Sequence, residues 1–399
     1  NPNRLDDKSN LQYLCAAGVT FMFLVSINRE LRSNNWFNKN KINEPNLINF
    51  LDLVSLGTVC DVVPLTGLNR AIVKQGLKII QSKKNLGIKT LLSICNIDTN
   101  PSTYHLGYML GPRINAGGRV GKCSHGANLL LDKDPKNSFK LASELDQFNK
   151  ERQILEKDLL QKILNKTKNY LKDPVLILSG SNWHEGVIGI VAARLKDKFN
   201  RPTILISFDG NIGKASARSI VGFDIGSVII AASHENILLK GGGHKMAGGF
   251  SIKLENVEKF KKFISKKFES INENLKIEKP LLVDSIISPS AVNIEFYKKV
   301  ALLSPFGSGN PEPKFVIEDL KTINGKIVGE SHIKSVLIGK DGSTIKSIAF
   351  NSLEKDISPF LIKKNNKSFN IAGKLSLNEW KGQSNVEFII DDISVNKTV

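Results

Sequence analysis

No run of this 399-residue sequence approaches the ~20 consecutive apolar residues of a membrane-spanning helix, and no secretory leader opens it, so a cytoplasmic protein is expected. Cysteine is sparse: Cys15, Cys60, Cys95 and Cys123 stand far apart with no C-x-x-C pair. That excludes a disulfide framework or a cysteine zinc site and leaves reduced thiols used for packing. Acidic residues are few beside basic ones, 38 against 56, and the net charge of +18 favours polyanionic partners, nucleic acid first. A biased genome is the competing reading of the lysine abundance, so arginine placement carries more. Only ten of the basic residues are arginine, and Arg113, Arg119 and Arg218 fall in glycine- or serine-rich segments where a planar, bidentate cation suits phosphate.

What the sequence has in concentrated form is glycine, above all in Gly241-Gly242-Gly243-His244-Lys245-Met246-Ala247-Gly248-Gly249-Phe250. Three successive glycines permit positive φ and bring bare N–H groups to a ligand, while His244 and Lys245 add a titratable donor and a fixed charge. A phosphate or carboxylate suits that set; a flexible loop before a strand is the competing reading. Gly111-Pro112-Arg113-Ile114-Asn115-Ala116-Gly117-Gly118-Arg119 predicts a compact anion-facing loop, with Asn115 between its two arginines. Trp183-His184 precedes a predicted helix over 185–199, where His184 caps, packs or meets a phosphate at the helix N-terminus.

Length predicts two to three domains. Residues 10–37 predict a buried helix, and 46–60 a second that Val62-Val63-Pro64 ends. Asp61, a carboxylate among apolar neighbours at that end, either bonds locally or binds a cation. Leu141, Leu145, Phe148, Leu155, Leu159 and Ile163 repeat at helical spacing through 138–171, a helix of roughly 50 Å that bridges two domains. After Pro174, strands and helices alternate, as in a three-layer α/β domain. The lysine-rich stretch 255–277 predicts an exposed helix. Pro280, Pro289, Pro305, Gly307, Gly309, Pro311 and Pro313 then separate off five short strands that predict an OB-like β-barrel, with Trp380 at a turn where it stacks on a base or packs.

In order, these segments resemble the RecJ family of single-strand-specific exonucleases in the DHH phosphoesterase superfamily. The resemblance covers residues 1 to 399. LGTVCDVVPL at 56–65 is similar to the family's last metal-binding motif, GPRINAGGR to its substrate-side arginine segment, and WHEGVIGIVAARL, SARSI and GGGHKMAGGF to its accessory DHHA1 domain. The implied α/β architecture is the C-terminal part of a DHH-type domain (1–137), a bridging helix (138–172), a DHHA1-type substrate-binding domain (173–277), and a linker with an OB-fold-like nucleic-acid-binding domain (278–399). The resemblance implies Asp61 as a ligand of catalytic Mn²⁺ or Mg²⁺, Arg113 and Arg119 near the scissile nucleotide, and Ser216, Arg218 and the His244 segment with Gly242, Gly243 and Lys245 around the 5′ end. It also implies 5′→3′ hydrolysis of single-stranded DNA to mononucleotides in DNA repair and recombination. The implied partners are single-stranded DNA and a single-strand-binding protein or helicase, with the protein a monomer.

The family's amino-terminal D-x-D and D-H-H motifs have no counterpart here, and Asn1-Pro2-Asn3 reads as a turn already under way. The sequence is therefore expected to be a fragment that binds nucleic acid and hydrolyses it poorly. Two other functions compete: a DHH-type phosphodiesterase for oligoribonucleotides or cyclic dinucleotides, and a non-catalytic single-strand-binding module with salt-sensitive, metal-independent binding.

Overall fold

The early helical periodicity becomes a run of helices. In the computed structural model, which describes residues 1–167, 173–272, 281–363, 365–380 and 383–395, they are α1 (Ala16–Ser33), α2 (Trp36–Lys39), α3 (Leu51–Cys60), α4 (Gly67–Gln81) and α5 (Leu86–Ile94). No helix among the described residues is long and apolar enough to cross a membrane. α3 buries Leu51, Val54 and Thr58 and crosses α4 at Gly76, where a Cβ would overlap Ser55 Oγ and the Leu51 carbonyl. α1 is helical but not the buried helix that its composition predicts: only Gly18 and Asn28 are buried, while Phe23, Leu24, Val25 and Ile27 stay exposed. Consecutive apolar residues project about 100° apart, so one neighbouring helix cannot cover them all.

Two compact units result, one of Asn1–Ile79 with Pro280–Val399 and one of Ile80–Lys279. In the second, a π-helical turn, His105–Leu110, runs directly into α6 (Gly111–Val120), followed by α7 (Ser124–Leu131) and α8 (Pro135–Thr167). The predicted loop at GPRINAGGR is thus a helix. Its glycines serve close packing: a Cβ on Gly117 would stand 2.6 Å from the Lys122 carbonyl oxygen. α8 starts at Pro135, with Asp134 accepting the Asn137 N–H at 3.1 Å, and its 33 residues lie within this unit.

A five-stranded sheet follows, from β1 (Leu176–Ser181), β2 (Thr203–Asp209), β3 (Ile212–Arg218), β4 (Lys240–His244) and β5 (Ala247–Lys253), in the order β1-β2-β3-β5-β4. Only β1 and β2 are parallel, because Gly210, at φ +57°, turns β2 straight back into β3 as a hairpin. Period-two alternation splits the strands between two cores. Leu176, Leu178 and Leu205 meet α8 and α9 (Glu185–Phe199); Ile177, Ile204, Ile206, Phe250 and Ile252 meet α10 (Ile225–His234) and α11 (Val257–Asn272). This is the expected three-layer arrangement. α11 is more than an exposed helix, since Phe260, Ile264 and Phe268 seal the core while its lysines face water.

In the first unit, β6 (Ser285–Ile286) and α12 (Ile294–Ala301) precede a barrel of β7 (Phe315–Val328), β8 (His332–Ile338), β9 (Thr344–Ala349), β10 (Asn365–Trp380) and β11 (Gln383–Val395). The sheet order is β10-β11-β9-β8-β7, and β10 pairs back onto β7, so the barrel closes. The five predicted strands are the five observed. α13 (Ser358–Ile362) packs Leu361 into a core that includes Ile317, Ile333, Phe369 and Phe388. The proline-rich stretch before the barrel is a docking segment as well as a linker. Arg70 Nη2 donates to the Leu303 carbonyl at 2.7 Å, Leu65 N–H donates to the Ser308 carbonyl at 2.6 Å, and Gly309, at φ +69°, lies against Pro64.

Candidate nucleic-acid interface

The glycine segment forms a hairpin, not a loop. β4 and β5 pair antiparallel around the two-residue turn Lys245-Met246, which is held by Ser219 N–H to the Met246 carbonyl (2.9 Å) and Ile225 N–H to the Lys245 carbonyl (3.3 Å). None of Gly241, Gly242 and Gly243 has positive φ. Their missing side chains do two other jobs, which strand alternation separates. A Cβ on Gly241 would stand 2.7 Å from Ile229 Cγ2, and one on Gly243 2.5 Å from the Ala247 carbonyl oxygen. A Cβ on Gly226 of α10 would lie 2.8 Å from the Gly243 carbonyl carbon and the His244 carbonyl oxygen. These glycines let the hairpin close and α10 approach it. Gly242 is different: a Cβ there would meet nothing within 4 Å.

Across β3, β5 and β4 the register aligns three rows on one face of the sheet: Lys214, Ser251 and Lys240; Ser216, Gly249 and Gly242; Arg218, Ala247 and His244. At strand spacings of ~4.8 Å and a rise of ~3.4 Å per residue, these nine positions cover roughly 10 by 14 Å. The middle row is a glycine floor flanked by cations. A cavity of about 520 Å³ opens on it, lined by Glu185 and Ile188 of α9 with Lys214, Ser216, Gly242 and Gly249. Lys214 pairs with Glu185 at 2.9 Å. Lys240 and Lys214 escaped sequence reading; the alternations Lys214-x-Ser216-x-Arg218 and Lys240-x-Gly242-x-His244 are the signal that finds them.

Arg218 lies where α9 crosses the sheet. A Cβ on Gly189 would stand 2.8 Å from Ser216 Oγ and 3.0 Å from Arg218 Nη2. Arg218 Nη1 donates to the Ala217 carbonyl at 2.8 Å and reaches Ser216 Oγ at 3.3 Å. Arg119 donates to the Gly186 carbonyl at 2.9 Å. Burial, then the nearby Arg119 guanidinium, pushes the Arg218 pKa below the ordinary arginine value. Among the described residues neither arginine is paired with a carboxylate. Two guanidinium groups that repel each other without a counterion leave positive charge that an anion would relieve.

The two arginines of α6 diverge. Six helical residues turn through roughly 600°, so Arg113 and Arg119 face different sides. Arg113 is spent internally, with Nε on Asp146 Oδ1 at 2.8 Å and Nη1 on the Met109 carbonyl at 2.8 Å. Burial opposes ionisation of Asp146, but hydrogen bonds from Lys150 and Arg113 hold its carboxyl below the usual range. Asn115 is exposed on the outer side of α6. His184 caps α9, its Nδ1 accepting the Gly186 N–H at 3.1 Å. His244 and Lys245 are exposed at the hairpin end. Trp380 ends β10, backbone-paired with Gln383, and its side chain lies outside the described residues.

Asp61 belongs to the other unit. It ends α3, donating its N–H to the Gly57 carbonyl at 2.9 Å, with its carboxylate exposed. Val62 beside it adopts φ +57°, a left-handed conformation unusual for a β-branched residue. Burial, with help from the Asp61 charge, pushes the Cys60 thiol up to about 11. Cys123 is exposed rather than packed. Among the described residues no three His, Cys, Asp or Glu side chains gather to hold a metal ion. One carboxylate does not fit a hard divalent cation, which takes six or more oxygen ligands.

Residues 153–270 match the model of the DHHA1 domain, and residues 283–392 that of the RecJ OB domain. The chain is 33% identical over 406 residues to the single-stranded-DNA-specific exonuclease RecJ of Salmonella typhimurium, and 34% over 411 residues to that of Escherichia coli. Each alignment covers 98% of this chain and 69% of the relative. Crystal structures of Thermus thermophilus RecJ in complex with Mg²⁺ and with Mn²⁺ both superpose with a TM-score of 0.73, at 27% and 28% identity. They cover 90% of this chain, which spans about half of theirs (53% and 51%).

Proposed function

Because the chain belongs to the RecJ family of single-stranded-DNA-specific exonucleases, we propose that it serves metal-dependent 5′→3′ degradation of single-stranded DNA in repair and recombination. Its own share of that task is to hold the strand. The observation that carries this reading is the cationic face of β3, β5 and β4, with the Gly242 and Gly249 floor between Lys240, His244 and Arg218. Bare glycine backbone admits a sugar-phosphate chain closely, Arg218 and Arg119 take a phosphate between them, and Ser216 adds a hydroxyl. A duplex is too wide and stiff for a floor of this size; one strand bends into it. Arg113 supports the strand site indirectly, through α8. Asp61 is the residue that would contribute to a divalent-metal site, and a single-strand-binding protein or helicase is the partner class that would deliver the strand.

The residues present do not by themselves complete a metal centre, so the 399-residue polypeptide is expected to bind a 5′-phosphorylated DNA strand and turn it over poorly in Mn²⁺. Fluorescence anisotropy with a labelled single strand and its duplex, alongside release of mononucleotides in Mn²⁺, tests both halves. Single-strand binding that weakens steeply with salt is expected. Equal affinity for the duplex would overturn the strand-floor reading, and robust turnover would overturn the assignment of a binding share only.

A further inference from the structure

Tyr104 and Tyr108 are large aromatic side chains left in water. They are 60% and 74% exposed, yet their rings stack on each other, with centroids 5.3 Å apart and planes 28° apart. They sit at the start of the continuous helical run that the π-helical turn and α6 form, where Leu106 and Leu110 are fully buried on the inner side. The outer side of that run carries Tyr104, Tyr108, Asn115, Gly118 and Arg119, all exposed. Steps of four residues from Tyr104 to Tyr108, seven on to Asn115 and four more to Arg119 each return the chain to nearly the same side, so these side chains share one stripe, which Gly118 borders. The stripe therefore leads from the tyrosine pair, over roughly 17 Å of helix, to the guanidinium that touches Gly186 and crowds Arg218. Stacked, exposed rings in line with cations that no carboxylate pairs among the described residues are the elements of a single-strand track, in which aromatic faces take bases and cations take phosphates.

We infer that Tyr104 and Tyr108 form a base-stacking platform for single-stranded DNA, set along the outer stripe of the π-helical turn and α6 from the phosphate site at Arg119 and Arg218. This rests on the strand-binding reading above and adds a second contact chemistry, sequence-tolerant and insensitive to salt. The rings are held ready: Tyr104 also meets His105 edge-on at 5.8 Å, and His105 Nδ1 is tied to the Ser102 N–H at 2.9 Å. Each tyrosine already faces a partner ring, so a base stacks on the outer face of the pair or inserts between the rings by parting them.

The experiment measures the affinity of the full chain for oligodeoxythymidylate, and for the same strand with an abasic residue moved stepwise along it. In the unaltered protein one abasic position is expected to weaken binding about fivefold or more, the range for loss of one stacked base. Tyr108→Ala and Tyr104→Ala are expected to weaken binding of the intact strand to a similar degree and to abolish the abasic effect, whereas Tyr108→Phe preserves both. The rings are exposed, so thermal melting should be unchanged in all three variants. Alanine variants that bind as the parent does, while Arg218→Ala still weakens binding, overturn the platform alone. An abasic effect that persists in both alanine variants overturns it equally. Absence of strand binding, or indifference to Arg218→Ala and the tyrosine variants together, overturns the strand-binding reading and the platform with it.

Discussion

Gly242 and Gly243 are adjacent, equally small and both in β4, yet the structure requires opposite outcomes when each gains a methyl group. At Gly243 the added Cβ would lie 2.5 Å from the Ala247 carbonyl oxygen and 2.6 Å from Gly248 Cα, both backbone atoms of the paired strand that cannot swing aside. Overpacking of that kind costs about 1–3 kcal/mol. At Gly242 the Cβ meets nothing within 4 Å, and φ is not positive, so reduced freedom of the unfolded chain stabilises Gly242→Ala by up to about 1 kcal/mol. The two variants should differ by roughly 2–3 kcal/mol, which for a unit of this size separates melting temperatures by about 4–12 °C. Urea or thermal unfolding followed through Trp183, whose ring lies against Gly180 in the same unit, reads that gap. Binding should show the reverse order per unit of stability lost: Gly242→Val keeps the fold and fills the floor, weakening single-strand affinity about tenfold or more. A Gly243→Ala protein as stable as Gly242→Ala would refute the division of labour among these glycines. Unchanged affinity in Gly242→Val would refute the floor.

The arginines separate in a salt titration. Arg119→Ala and Arg218→Ala should each weaken strand binding and lower the slope of log affinity against log salt by about one phosphate contact. Arg113→Ala should leave the slope unchanged and destabilise the protein by about 1 kcal/mol, since it leaves the mostly buried Asp146 with Lys150 as its remaining cation. A reduced slope for Arg113→Ala would show instead that it meets the strand. His105 supplies a pH dependence. Burial lowers its pKa below 6.5, so the unfolded state takes up the proton first, and stability is full above about pH 6.5 and falls as the pH drops through and below that value. His105→Gln should flatten the dependence of urea midpoints between pH 7.5 and 5.5; an identical profile in the variant counts against His105 as its source.

Much of this fold is legible in the residues, where periodicity is strong and tertiary context agrees with it. The heptad-like leucines of α8, the alternating strands of the barrel and the switch to strand and helix after Pro174 each point one way. The misreadings at the two glycine-rich segments have a common cause: glycine can signal close approach as well as unusual φ, and the sequence does not say which. GPRINAGGR is helical, with Gly117 leaving room for the Lys122 carbonyl and Gly121, just past the end of α6, leaving room for the Phe148 ring. The glycines of β4 are extended because α10 and the hairpin partner need the room. Lys214 and Lys240 went unseen because their neighbourhood exists only once register pairs both with Ser251. Tyr104 and Tyr108 lack any motif, and what distinguishes them is exposure, a property of the folded chain.

The bond from Arg70 to the Leu303 carbonyl joins residues 233 positions apart. The unit of Asn1–Ile79 with Pro280–Val399 is therefore interrupted by the whole of the unit Ile80–Lys279. During synthesis the inserted unit has all its strands once β5 and α11 have emerged, and it folds as the earlier of the two. The helices that carry Asp61 must wait for the barrel's docking segment. Ordering of assembly thus runs from the inside of the sequence outward: the strand-holding face matures before the Asp61 region gains its partner, and a nascent chain is expected to grip DNA before its Asp61 segment is locked in place.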